Sequence, residues 1–99
     1  MKRLSQLSWE EMLEIADEFL QFLFARSRGS VITITPSSLF LFFDIMKGLK
    51  LSYYGRSALY HAIEEIAPKY GWKMCIHRTK QTRKVRLYKS DLDLSLTSN

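Results

Sequence analysis

Apolar residues in the first part of the chain follow a helical spacing. Between residues 9 and 26 they recur every three or four positions, and acidic residues occupy the other side of the helical wheel. Ser8 and Glu11 fit a capping box, in which the Ser8 hydroxyl accepts from the Glu11 amide and the Glu11 carboxylate accepts from the Ser8 amide. The pattern predicts a first helix over residues 9–26 that stops before Gly29.

A short strand and a second helix follow. The β-branched alternation of residues 31–35 predicts the strand. Thr35 followed by Pro36 is a favoured helix start, so we expect a second helix over residues 36–47 that closes at Gly48. This helix has little polar face, and we expect it to be mostly buried.

The third helix is expected to begin at Ser52, which caps it, and to reach at least Ala67 before Pro68 ends or kinks it. One stripe of its helical wheel is apolar and is expected to be buried: Leu59, Ala62, Ile63, Ile66 and Tyr70. The outward face carries Tyr53, Tyr54, Ser57, Tyr60, His61, Glu64 and Glu65, with Arg56 on its flank. Its acids lie only at the C-terminal end.

The last predicted element is a β-hairpin. Two alternating runs, residues 72–77 and 84–88, flank the polar loop 79–83. Residues 73–89 contain seven cations and no acid: Lys73, Arg78, Lys80, Arg83, Lys84, Arg86 and Lys89. Such a hairpin can present charge to a polyanion, and nucleic acid is the commonest one. Residues 90–99 form either an extra edge strand or a frayed tail.

Charge is divided unevenly along the chain. Its 99 residues are enough for one core, so we expect a single domain over residues 1–89. Residues 1–49 contain five Lys/Arg and six Asp/Glu, whereas residues 50–99 contain ten and four, which gives about −1 and +6. This asymmetry assigns any polyanion contact to the second half.

Composition also bounds the compartment. The single cysteine, Cys75, cannot form an internal disulfide, which suits a reducing compartment. The very apolar residues 39–46 are too few to span a bilayer and include Asp44. Residues 1–7 lack the signature of a signal peptide. We therefore expect an intracellular, cytoplasmic protein with no membrane partner.

Catalytic chemistry has little support in the sequence. Cys75 and His77 lie two apart on one strand and could share a face, but two ligands do not make a zinc site. As a Cys/His nucleophile the pair lacks an orienting carboxylate and an oxyanion-hole glycine pattern. Glycine-rich phosphate loops and paired catalytic acids are also missing. We expect no enzymatic activity, no metal or other cofactor, and no small-molecule substrate.

The order of elements resembles the winged helix-turn-helix family over residues 8–89. The resemblance is carried by the strand 31–35, the helix pair 36–47 and 52–67 joined across Gly48, and the hairpin 72–89 as the wing. Small winged-helix proteins of archaeal viruses and plasmids are similar in size and in their basic wing. The implied fold is α+β, with three helices, a short strand and a C-terminal hairpin.

The resemblance implies double-stranded DNA as the partner. Helix 52–67 would enter the major groove by its N-terminal part, and the wing 73–89 would lie on the backbone or in the minor groove. The candidate DNA-binding residues are Tyr53, Tyr54, Arg56, Ser57, Tyr60 and His61 on the helix, and Arg78, Lys80, Arg83, Lys84 and Arg86 on the hairpin. Three tyrosines with one arginine suit bidentate recognition of guanine poorly, so specificity is either modest or carried by DNA shape and the wing.

Three functions stay open at this point. The first is a transcriptional regulator that binds duplex DNA with full or partial sequence specificity. The second is a protein-interaction module that docks an acidic protein, and the third is an RNA-binding protein whose tyrosines stack on bases.

The oligomeric state is open as well. Phe19, Phe22 and Phe24 cannot all point the same way from the first helix. Either the surplus packs under another element, or it lies in a homodimer contact through helix 1.

Overall fold

The computed structural model describes residues 2–78 and 83–90, without the side chains of Lys2, Tyr53 and Arg83. Within them the chain has an α+β fold with three helices and a small antiparallel sheet that ends in a C-terminal hairpin. The helices are α1 (Trp9–Arg26), α2 (Pro36–Leu39), which continues as a π-helical segment (Phe40–Met46), and α3 (Tyr53–Ile66). The strands are β1 (Lys2–Arg3), β2 (Val31–Ile34), β3 (Leu49–Lys50), β4 (Trp72–Arg78) and β5 (Arg83–Lys89). The predictions for the hairpin loop at 79–82 and for the tail beyond Ser90 fall outside the described residues.

The helices begin where their caps predict. Ser8 Oγ accepts from the Glu11 amide at 3.1 Å, and Glu11 Oε1 accepts from the Ser8 amide at 3.0 Å, which confirms the capping box. Thr35 Oγ1 caps α2 by accepting from the Ser38 amide at 3.1 Å. Ser52 Oγ caps α3 by accepting from the Gly55 amide, also at 3.1 Å.

The main sheet has the strand order β2-β5-β4, and both pairs are antiparallel. Leu87 on the central strand lies between Ile32 on β2 and Met74 on β4. Val85 and Leu87 are buried on the side that packs against the helices. The hairpin prediction is thus confirmed for the two strands, and β2 completes their sheet.

An aromatic cluster joins α1 to the π-helical segment. The ring of Phe19 lies 5.2 Å from that of Phe42 and 5.0 Å from that of Phe43 between centroids. Phe22 also contacts Phe42 at 5.2 Å, and Phe24 stacks on Trp72 of β4 at 5.1 Å. The surplus phenylalanines of α1 therefore pack under other elements of the same chain, which was one of the two alternatives predicted for them.

The second helix is less buried than predicted. Phe42 and Phe43 are buried against α1, but Phe40, Ile45 and Met46 are each more than half exposed. The segment is also wider than an α-helix, since the Lys47 amide donates to the Phe42 carbonyl five residues earlier, at 3.1 Å. The prediction was wrong because α1 covers only one side of the segment, and its other side faces solvent.

Most of the predicted stripe of α3 is confirmed, since Leu59, Ala62, Ile63 and Ile66 are buried. Tyr70 was predicted in the same stripe and is 41% exposed, so that prediction was wrong. The reason is that α3 ends at Ile66, and the chain continues as a 3-10 turn that redirects the Tyr70 side chain. Its hydroxyl donates to Asp17 on α1 instead.

Among the described residues, no helix combines the length and the apolar character needed to cross a bilayer.

Candidate nucleic-acid interface

The N-terminal half of α3 presents an exposed polar face. Tyr54 is 79% exposed, and Arg56, Ser57 and His61 are also exposed. The Ser52 cap fixes where this face begins, because it satisfies the Gly55 amide in the first turn. The prediction for the Tyr53 side chain lies outside the described side chains.

Tyr60 does not belong to the outward face. Its side chain is only 8% exposed and forms part of the hydrophobic core, so the prediction that it faces outward was wrong. Helical spacing gives the reason: Ile63 lies three residues after Tyr60 on the same side of α3, and Ile63 is fully buried. The buried stripe of α3 is therefore wider than the sequence indicated.

A cleft of about 110 Å³ lies between α3 and β4. Its lining residues are Ser57, Tyr60, His61, Glu64, Met74, Ile76 and Arg78. It brings Ser57 and His61 from the helix together with Arg78 from the hairpin, three residues that the sequence predicted as one site. Glu64 adds an acid to the cleft; it was predicted on the outward face of the same helix but not as a DNA-binding residue.

The two faces of the hairpin divide the other predicted cations. Directly paired residues of antiparallel strands project from the same face, and successive residues alternate. Ile76 pairs with Val85 on the face toward α3, and Arg78, two residues after Ile76 on the same strand, projects from that face as well. Lys84 pairs with His77 and Arg86 with Cys75, so Lys84 and Arg86 project from the opposite, outer face. The hairpin cations predicted as one set therefore occupy two surfaces.

The outer face holds its own polar contacts. His77 Nε2 and Tyr88 Oη are 3.2 Å apart, within hydrogen-bonding distance. Arg86 is partly buried, and within the described part of the chain its Nε has no hydrogen-bond partner. Cys75 and His77 share this face, as predicted, but residues 2–78 and 83–90 contain no group of three or more metal-ligating side chains.

The tip of the hairpin is only partly described. Lys80 lies outside the described residues, and so does the side chain of Arg83. Their predicted contacts with phosphate stay predictions.

Two exposed cations beside α3 were missed. Arg3 on β1 pairs with Lys50 on β3, next to the first turn of the helix. The one signal in the sequence is Gly55, a glycine inside a predicted helix, which often marks a close approach of another backbone.

Comparison with models of protein families, with curated proteins and with solved structures found no match to this chain.

Proposed function

We propose that this chain is a winged-helix protein that binds double-stranded DNA inside the cell and acts as a transcriptional regulator. The observation that carries the proposal is the cleft in which the exposed side of α3 and Arg78 of the cationic hairpin meet. The sheet order β2-β5-β4, with the hairpin directly after the third helix, supports it.

Helix α3 would supply the contacts inside the major groove. That groove is about 12 Å wide and admits one α-helix. Arg56, Ser57 and His61 are exposed and carry groups that can hydrogen-bond to base edges or phosphates. Tyr54 offers an exposed ring and hydroxyl one residue after the helix begins. With one arginine in this set, DNA shape would contribute part of the sequence preference.

The hairpin would supply affinity through phosphate contacts. Arg78 is exposed at the end of β4 and projects from the face of the hairpin that is turned toward α3. Lys80 and Arg83, near the hairpin tip, are expected to reach the backbone or the minor groove beside it. Such contacts fix the position of the protein on DNA without specifying its sequence.

Regulation would follow from occupancy. A domain of this size covers a short stretch of duplex, so it can exclude polymerase or another factor from that stretch, or recruit one to it.

The test is a binding series by fluorescence anisotropy with random duplex DNA, single-stranded DNA and duplex RNA at increasing salt. We expect the tightest binding to duplex DNA, with an affinity that falls steeply as salt rises, because each neutralised phosphate releases counterions. Preference for RNA or single strands would replace the proposal with the RNA-binding alternative.

A protein-interaction module is the second candidate. The observation that favours it is the solvent-facing side of the π-helical segment, where Phe40, Ile45 and Met46 are each more than half exposed. The same binding series separates the candidates, since failure to bind any nucleic acid at low salt would favour this second function.

A further inference from the structure

A second cationic surface lies beside the first turn of α3. β1 and β3 form a parallel pair in which Lys2 lies opposite Leu49 and Arg3 opposite Lys50. Paired strands are about 4.8 Å apart, and opposed residues project from the same face. Arg3 and Lys50 therefore lie side by side, and both are exposed.

Buried contacts hold this surface against α3. Leu4, directly after β1, is fully buried. Gly55 in the first turn of α3 has no room for a side chain, since a Cβ there would lie 2.8 Å from Ser5 N and 2.9 Å from Leu4 Cβ. The Arg3 amide also donates to Gln6 Oε1 at 2.8 Å, which closes the turn after β1. The N-terminal segment thus lies in direct contact with the helix proposed to enter DNA.

Charge changes sign across β3. Residues 2–9 and 45–63 contain no Asp or Glu. On the other side of β3, Leu49 borders a groove lined by the acidic face of α1: Glu11, Glu14, Asp17 and Glu18. Lys47 belongs to that side, because its Nζ lies 3.0 Å from Glu18 Oε2. A polyanion is therefore attracted to the side of Arg3 and Lys50 and repelled from the side of α1.

We propose that Arg3 and Lys50 bind backbone phosphates of the same duplex whose major groove receives α3. The inference rests on the proposed function and adds to it a phosphate-binding surface separate from the hairpin. A helix that fills the major groove has a DNA backbone on each side. The β1–β3 pair provides cations at the beginning of α3. The hairpin provides them beside the cleft between α3 and β4. Arg3 and Lys50 add affinity and fix orientation without selecting sequence.

The experiment measures duplex DNA affinity over a salt series for the R3A/K50A variant, for K50A alone and for K47A. We expect R3A/K50A to bind every duplex at least about tenfold more weakly at physiological salt. The slope of log affinity against log salt is negative, and we expect its magnitude to fall by about two because two phosphates are no longer neutralised. K50A alone should reduce the magnitude of that slope by about one. K47A is the matched control, because it removes one lysine three residues away whose partner is on α1, and it should leave the slope unchanged.

The outcomes separate this inference from the proposed function. If the unaltered protein does not bind duplex DNA, the proposed function fails and this inference fails with it. If the unaltered protein binds and R3A/K50A keeps its slope, only the inference is overturned. An equal loss in K47A and K50A would also overturn it, because net charge alone would then account for the effect. Thermal unfolding of each variant verifies that these exposed substitutions leave the fold intact.

Discussion

Gly55 lies where two segments distant in sequence touch. Its helical backbone would accept other residues, but the Ser5 nitrogen and the Leu4 side chain occupy the space that a Cβ needs. A backbone atom at 2.8 Å cannot rotate away as a flexible side chain can, so the N-terminal segment would have to move. Gly55 therefore determines how closely that segment packs on α3.

Gly55→Ala is expected to lower the free energy of unfolding by about 1–3 kcal/mol, since overpacking outweighs the better helix propensity of alanine. Urea unfolding measures the change. Ser57→Ala, at an exposed position of the same helix, is the control and should change stability by less than about 0.5 kcal/mol. Equal stabilities of the two variants would mean that the N-terminal segment is not held at this distance.

Tyr70 forms a polar link between the 3-10 turn after α3 and α1. Its hydroxyl donates to the Asp17 carboxylate, and Gln21 Nε2 donates to the Tyr70 oxygen at 3.4 Å. The hydrogen bond to Asp17 is the main reason that the pKa of Tyr70 is raised above 10.0, because tyrosinate would lose the bond and face a second negative charge. Because the pKa is higher in the folded state, the link stabilises the fold below pH 10.0 and is lost as pH rises through the raised pKa.

Asp17→Asn is expected to lower the pKa of Tyr70 toward 10.0, since the Asp17 carboxylate is the main cause of the shift. The Tyr70 pKa is measured by the ultraviolet absorbance of tyrosinate over a pH titration. The same titration of Tyr70→Phe, with and without Asp17→Asn, gives the signal of the other four tyrosines, which is subtracted. A Tyr70 pKa that stays equally high in the Asp17→Asn variant would show that another group causes the shift.

At the scale of elements, the hairpin offers two cationic faces to a ligand. Arg78 projects toward α3, whereas Lys84 projects from the outer face next to the same end of the hairpin. We expect Arg78→Ala to reduce the magnitude of the slope of log affinity against log salt by about one, and Lys84→Ala to reduce it less. Anisotropy with duplex DNA measures both slopes. A larger change of slope in Lys84→Ala than in Arg78→Ala would mean that DNA lies on the outer face of the sheet.

Glu64 is an acid in the proposed DNA cleft. If phosphates approach within a Debye length, about 8–10 Å, the carboxylate opposes their binding. Glu64→Gln should therefore tighten duplex DNA binding about two- to threefold, as expected for one exposed charge. Glu65→Gln removes the same charge from the adjacent residue, which faces a groove beside α1, and is expected to have the smaller effect. Equal effects in an affinity titration would argue against DNA occupying the cleft.

Local sequence signals predicted most helices and strands correctly. The wrong or missing predictions concern features that depend on packing between distant parts of the chain. Side-chain caps gave the starts of α1, α2 and α3, because Ser8, Thr35 and Ser52 act within three residues of themselves. Tyr60 and Tyr70 were misplaced because a helical wheel records neither the width of the packed face nor the end of the helix. The β1–β3 pair joins segments more than 40 residues apart with two residues each, which leaves almost no local pattern.

For the molecule as a whole, the arrangement of charge matters more than its count along the chain. Dividing the sequence into halves assigned polyanion binding to residues 50–99, but the fold brings Arg3 next to Lys50. The acids of the first half lie largely on α1, away from the outward face of α3. Cations close in space therefore come from both halves of the sequence, and the sequence pattern indicated only those of the second half for the proposed site.

The sheet order also bears on synthesis. The central strand β5 is the last of the three to be made, and within the described residues β2 and β4 pair with β5 and not with each other. While the ribosome is still adding residues 83–89, neither earlier strand has its β5 partner, and β2, made about 50 residues before β5, has been without it the longer. The sheet can close only once Lys89 has left the exit tunnel. A nascent chain that stalls before Arg83 would therefore lack the whole sheet rather than one strand of it.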